Sequence, residues 1–466
     1  MSVLPASRPH DARTAVSLVV LTLAPALLVL FARIAVMTDP ASVRTASTLI
    51  AGVSLVHGMA LFVLHGRDRL TMSGCFLASS AMIVGASGLL VVPDPYFLAV
   101  PHPDRFLNSA LFAAALTQIA VGALCLRIVP EPAPPPPILP GGVARTAQIS
   151  GVAVLAVTAM LGEALGPFQD GFGFSAILLV CVASLLGEKG LRSPGNALLV
   201  LAALAAFPTL VISGTGRLRV IALLLAVAYV FFLRYGRRWM KTLGVLLAPL
   251  GLMVLGIWRR EYEEAVSGAY GNETGLSSMF VAIGNFGTLL HSTREGLAPT
   301  LGASFLSPLG SALPDALRPA WIPQATGYEL AAITDPELYG TGFSTVASVY
   351  GDLWWNAGAL GLIAGAPLLA VMLDRIDAWT VRSVARAAAS PRRLLLVVLW
   401  TGVLGGVGDL VWSGFHTWIV RGYARIAALA VLAAATLAVP QRAPTGFVSF
   451  REAPAAPSPR ARRAET

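Results

Sequence analysis

Charge is scarce in this chain. Asp, Glu, Lys and Arg make up 12% of its 466 residues, against about 25% in a soluble domain. Too few charged side chains remain to clothe two or three soluble domains. Cysteine is scarcer still. Cys75, Cys125 and Cys181 fall in separate apolar runs with no metal-like spacing, which argues against a disulfide framework or a zinc site and makes them small hydrophobes. The chain has no GxxxxGK[ST] phosphate loop, HExxH pair, GxSxG elbow or paired CxxC, so nothing points to nucleotide or metal chemistry. Nucleic acid is not an expected partner either. The net charge of +9 would fit one, but the basic residues collect in alternate loops between apolar runs, as a membrane topology requires.

What the chain has instead is apolar length, with 56% hydrophobic residues and a mean hydropathy of +0.73. Twelve runs lie at about 14–36, 46–65, 72–93, 107–128, 148–165, 173–187, 196–213, 218–234, 242–258, 346–373, 394–417 and 422–440. A span takes about 20 apolar residues, and lipid offers the backbone no hydrogen bonds, so these runs must be helices. The expected fold is an all-α polytopic integral membrane protein with about 12 transmembrane helices, forming a single transmembrane domain over 1–440. The first run is too long for a signal-peptide core and reads as an uncleaved span. With the N-terminus cytoplasmic, Arg67/Arg69, Lys189/Arg192, Arg234 to Lys241, Arg375 to Arg393 and the RARR tail fall inside. The expected orientation is therefore N-in, C-in. A Pro-rich cytoplasmic linker covers about 130–143, and 441–466 reads as a disordered basic cytoplasmic tail.

One external loop is long, about 258–345, between the ninth and tenth spans. Loops of this length are functional or disordered. Within it, Phe280, Ile283, Phe286, Leu289 and Leu290 recur at helical spacing, which predicts an amphipathic helix over 277–296 at the membrane surface or capping a cavity. The sequon NET (272–274) carries no weight outside a eukaryotic secretory context.

The clearest site pattern is SGTGRLR (213–219). Small residues let backbone N–H groups approach a ligand, and Arg217 and Arg219 add forked cations that match phosphate geometry. The apolar run that follows adds a helix N-terminus, also favourable to an anion. Two arginines touching lipid headgroups is the structural alternative. Arg259 and Arg260 open the long loop and either pair with Glu261, Glu263 and Glu264 or join the same anion site. His291 and Arg294 stand one helical turn apart, and His291 is a candidate general base. In the last runs Asp409 and His416, seven apart on one helix face, are ionisable groups inside the membrane; pairing of Asp409 with Arg421 or Arg425 is the structural reading.

Within GTGFSTVASVYGDLWWNAG (340–358), the stretch GDLWWNAG (351–358) resembles the G-E-L-Y-x-N-F-G pattern of bacterial oligosaccharide repeat-unit polymerases of the O-antigen polymerase type. Asp352 stands at the acidic place, Trp354 at the aromatic one, and Asn356 and Gly358 at theirs. Asp replaces the commoner Glu, and Ala357 replaces an aromatic. SGTGRLRVIALLL is similar to that family's S-G-x-R segment, with Arg217 at the arginine, and TLGASFLSPLGSALPDALRPAW (300–321) to its small-residue stretch. The resemblance covers roughly 200–375 and implies a multi-pass protein of the bacterial inner (cytoplasmic) membrane. Its implied reaction moves a growing glycan from polyprenyl diphosphate to a sugar hydroxyl of another carrier-linked unit, at the periplasmic face and without metal or cofactor. Arg217, Arg219, Arg259, Arg260 and Arg294 would bind the diphosphate; Asp352, His291 or a loop acid such as Glu329 would act as base. Membrane lipids, a chain-length regulator and a flippase are the implied partners. A ligase-like glycan transferase and a non-enzymatic flippase or secondary transporter are the alternatives. At the mouth of the tenth span, Trp354 and Trp355 would join the interfacial aromatic belt. Asp352 would face the cavity of Arg217, as a counter-ion to an arginine or as the group that prepares the acceptor hydroxyl.

Overall fold

The computed structural model of the chain describes residues 12–93, 98, 100–127, 137–211, 217–267, 277–311, 313, 317–340 and 344–438. Among them every element is helical, save one isolated bridge between Leu139 and Gly187. In chain order the first half comprises α1 (Ala12–Thr38), α2 (Val43–Leu64), α3 (Met72–Ser80), α4 (Ser87–Val91), α5 (Pro103–Arg127), α6 (Gly141–Leu161), α7 (Gln169–Leu186) and α8 (Pro194–Ala206). A π-helical turn at Ala81–Ala86 joins α3 to α4. Then follow α9 (Arg217–Tyr235), α10 (Arg238–Ser267), α11 (Ser277–Arg294), α12 (Ser307–Ser311), α13 (Thr326–Thr334), α14 (Ser348–Ala385), α15 (Pro391–Gly405) and α16 (Val407–Ala438).

Nine helices among the described residues are long and apolar enough to cross a membrane. This is a polytopic, multi-pass membrane protein. Of the twelve apolar runs, those falling on α8, α10 and α15 are not in that set; α8 and α15 are only 13 and 15 residues long. Phe31, Leu246, Ile363 and Leu368 face outward, each about 70% exposed. Such an apolar surface suits lipid rather than water. The Pro-rich segment, the NET sequon, the SGTG turn and the basic tail fall mostly or wholly outside the described residues.

Side chains pack into two cores. One gathers α1 to α5, α11, α14 and the start of α16 around Phe76, Leu107, Leu111, Phe286 and Tyr350. The other gathers α6 to α9, α15 and the end of α16 around Phe174, Leu178, Val182, Val230 and Val398. α7 is enclosed on all sides, with every residue from Gly173 to Leu186 buried. The predicted amphipathic helix exists as α11; of its two expected placements, its burial argues against the membrane surface, and its last turn lines a cavity with Leu290, Thr293 and Arg294. Every residue from Ala282 to Leu290 is buried, because small residues at Gly284 and Gly287 let α11 pass between its neighbours rather than over them.

A polar chain ties the first core together. Gln118 Oε1 accepts from the Ser54 and Ser80 hydroxyls at 2.7 Å each, and Nε2 donates to the Ser54 carbonyl at 2.9 Å. The Ser80 hydroxyl also meets that of Tyr350 at 2.5 Å. One side chain thus links α2, α3 and α5, and through Ser80 also α14. The helices come close enough for this because Gly58 has no Cβ, which would lie 2.7 Å from the Ala81 side chain. Replacing Gln118 by Leu strands the Ser54 hydroxyl and leaves Ser80 only its contact with Tyr350. Its unfolding free energy in detergent should fall by about 1–3 kcal/mol, and an unchanged denaturation midpoint would show that the chain carries no stability.

Candidate functional site

Two helix breaks build the site. The first lies in α14, where Ala357 (φ −150°, ψ 20°) and Gly358 (φ 60°, ψ −141°) leave helical geometry. The Leu353 side chain lies against Gly365, although twelve positions of straight helix would hold them about 18 Å apart. Ser348–Asn356 is therefore a separate leg folded against the rest of α14. Tyr350 on this leg reaches Ser80, halfway along the α3–α4 helix, so the leg starts deep and rises to the break. The expectation of a plain tenth span beginning near 346 is corrected accordingly. Both tryptophans turn inward instead of joining a lipid belt. Trp355 is 6% exposed, and Trp354 Nε1 donates to Thr293 Oγ1 at 3.2 Å.

GDLWWNAG supplies what the break requires. The Trp355 carbonyl, released from the helix, accepts the Thr300 N–H at 3.0 Å. Asn356 donates to the Asp352 carbonyl at 2.7 Å and accepts from the hydroxyls of Thr300 and Ser304 at 3.0 and 2.9 Å.

The second break is Gly414 in α16 (φ 80°, ψ −168°), a backbone state essentially confined to glycine. The chain reverses there. Arg421 pairs with Asp409, Arg425 donates to the Gly402 carbonyl at 2.9 Å and Trp418 Nε1 to that of Val403 at 3.4 Å. No straight helix brings such distant residues together. The reversal was expected between 417 and 422, and it falls several residues earlier. It also separates Asp409 from His416, so these two do not share one helix face.

Asp352 holds this turn. Its Oδ2 accepts the Phe415 N–H at 2.8 Å and its Oδ1 the Thr326 hydroxyl at 2.6 Å, and the residue is 4% exposed. Among the described residues no arginine pairs with it and it acts as a backbone acceptor; the side chain of Arg217, its expected partner, lies outside the described residues.

Past the turn, α16 carries Arg421 and Arg425 into a cavity of about 580 Å³ that also receives Arg219 and Asp170. Arg219 pairs with Asp170. Arg425 lies 3.9 Å from the second oxygen of Asp409 and 4.1 Å over the Phe174 ring. The pairing of Asp409 with Arg421 and Arg425 is thus present. Gly171 presses on the Ala424 backbone, with no room for a Cβ, and this fixes α7 against α16. Among the described residues three guanidinium groups face two carboxylates, which leaves one positive charge in a largely apolar cavity. Such a cavity attracts an anion.

Ser311 lines the same cavity and leads to His416. His416 Nδ1 is 2.7 Å from Ser307 Oγ, and Nε2 is 3.5 Å from Ser311 Oγ. With the Nδ1 proton donated to Ser307, Nε2 presents a lone pair towards Ser311. Thr300, Ser304, Ser307 and Ser311 recur at intervals of four, three and four, the period of one helix face. The first two hold Asn356 and the last two His416.

His291 and Arg294 lie elsewhere. Both pack on Phe106, the imidazole edge-on at 4.8 Å and the guanidinium over the ring at 5.4 Å. They do not line the Arg219 cavity. Arg217 opens α9, but its side chain, like those of Arg259 and Arg260, lies outside the described residues. Asp170 was not foreseen, although an acid in the first turn of a span opposite Arg219 is its natural partner. Among the described residues no three His, Cys, Asp or Glu side chains gather at one point. No family model, curated protein or solved structure matches this chain.

If Asp352 serves as a backbone acceptor, Asp352→Asn keeps an oxygen for Phe415 and an amide for the Thr326 hydroxyl. Asp352→Ala strands both donors at about 1–3 kcal/mol each. Thermal denaturation in detergent should show the alanine variant falling well below the asparagine variant; equal losses would dismiss the holding role.

Proposed function

We propose that this protein polymerises lipid-linked oligosaccharide repeat units, a glycosyltransferase of the bacterial inner membrane acting at the periplasmic face for O-antigen, capsule or exopolysaccharide. Twelve crossings with both termini inside belong to the same proposal. The observation that carries it is the convergence of Arg219, Arg421 and Arg425 on one cavity with His416 at Ser311 beside it. The reaction asks for the same two parts.

In this reading the donor is a glycan on polyprenyl diphosphate. The bond between the sugar anomeric carbon and the diphosphate oxygen breaks, and the acceptor hydroxyl oxygen forms the new bond to that carbon. The arginines take up the charge left on the diphosphate, as fixed cations aimed at the place where charge develops. His416 Nε2 receives the acceptor proton. Asp352 does not touch the reacting atoms; it is a positioning residue, because it fixes the turn from which His416 and both α16 arginines project. The reading thus takes His416 as base in place of Asp352, His291 or Glu329, keeps Arg219 at the diphosphate and adds Arg421 and Arg425 of α16 to it.

Purified protein in lipid, given a carrier-linked repeat unit and no nucleotide sugar, should produce a ladder of glycan lengths. His416→Gln should slow it by about 10²–10⁴-fold and Arg425→Gln by about 10²-fold or more, with both variants still monodisperse. Transfer of single units to another acceptor would favour the ligase, and translocation without new bonds the transporter; either outcome alone removes the polymerase.

A further inference from the structure

A second cavity, of about 570 Å³, lies among α1, α5, α11 and α14. None of its lining residues is shared with the Arg219 cavity. Its polar end holds two arginines. Arg33 donates to Asn108 Oδ1 at 2.6 Å and lies 5.7 Å over the Phe112 ring. Arg294 lies over the Phe106 ring. Both guanidinium groups are thus oriented by neutral partners, and among the described residues neither has a carboxylate. The nearby acid Asp104 is taken by Arg44 at 3.2 Å. Arg33 is half-buried and Arg294 exposed, so the pair forms a cationic mouth to an apolar cavity, suited to an anion.

The rest of the cavity is mostly apolar, with Ser109, Thr117 and Thr293 among its lining, and runs one way. From Phe106 the wall descends α5 through Phe112 and Leu116 to Ala120, and descends α14 from Ala359 through Ile363 to Ala366. The fourteen steps from Phe106 to Ala120 cover about 21 Å at 1.5 Å per residue, two-thirds of a hydrocarbon core of about 30 Å. Arg33, near the end of α1, Phe106, near the start of α5, and Arg294, closing α11, put the charged end at one face of the bundle. A charged head and a long chain below it would meet complementary surfaces.

We infer that this cavity binds a phosphate-bearing, long-chain lipid, with its phosphate between Arg33 and Arg294 and its chain along α5 and α14. The inference does not rest on the polymerase reading, since it uses none of the same cavity. Phosphatidylglycerol and a polyprenyl phosphate carry the same recognised chemistry.

Native mass spectrometry of the full chain, released from detergent with added polyprenyl phosphate, phosphatidylglycerol or uncharged polyprenol, separates the possibilities. Either phosphate lipid should bind, and the polyprenol should not. Competition between the two phosphate lipids then names the source. The double variant Arg33→Gln/Arg294→Gln should weaken phosphatidylglycerol binding about tenfold or more, Arg33→Lys/Arg294→Lys should recover most of it, and Arg192→Gln, which lines neither cavity, should leave it unchanged. A diazirine-bearing phosphatidylglycerol should label wild-type α5 between Phe106 and Ala120, a readout that needs no variant to fold. Polyprenol binding as well as its phosphate, the glutamine variant binding like wild type, or labelling confined to other helices would overturn the inference.

Discussion

The contact on which the site depends is one carboxylate oxygen accepting one backbone N–H. When a helix breaks inside a membrane, the freed N–H and C=O groups have no water to turn to, and each needs a partner from the protein. At Gly414 the freed donor is the Phe415 N–H, and Asp352 accepts it. At Ala357 the freed acceptor is the Trp355 carbonyl, and Thr300 supplies the donor. The two solutions are coupled, because Asn356 links the Asp352 backbone to the hydroxyls of Thr300 and Ser304. The short motif in α14 thereby sets the direction in which α16 departs, and with it the positions of His416, Arg421 and Arg425.

The arginine cavity shows how such charges are held inside the protein. Its cations are partly compensated: one carboxylate answers Arg219, another is shared by Arg421 and Arg425, and a carbonyl and an aromatic face complete the setting of Arg425. Full compensation would bury neutral pairs with little attraction for an anion, whereas none would leave charges too costly for the interior. The intermediate balance keeps the groups in place and leaves a net attraction.

Much of this was legible in the sequence, and the failures share a cause. Apolar length sufficed to read helices and membrane, since lipid leaves the backbone few options. Pairing of Asp409 with an arginine of the last run was also readable, because an ionised group in an apolar run must find an opposite charge. The reversals were not. Gly414 is one of 45 glycines, and a hydropathy window averages across a positive φ without registering it. α11 misled for a different reason: its large apolar residues fall on one stripe, but the glycines between them let the opposite face be buried too. The hydroxyl spacing from Thr300 to Ser311 was the overlooked signal, hidden because its helical period runs through a 3-10 turn and a very short helix.

Asp352 and Gly414 also constrain each other over time. Any residue but glycine at 414 brings a Cβ into the Asp352 carboxylate. A smaller residue at 352 would make room for it, but would take away the acceptor that the turn requires. Neither position has a compensating partner change, so the two cannot drift by turns. Sixty-two residues apart in the chain, they act as one unit, and a change at either undoes the turn.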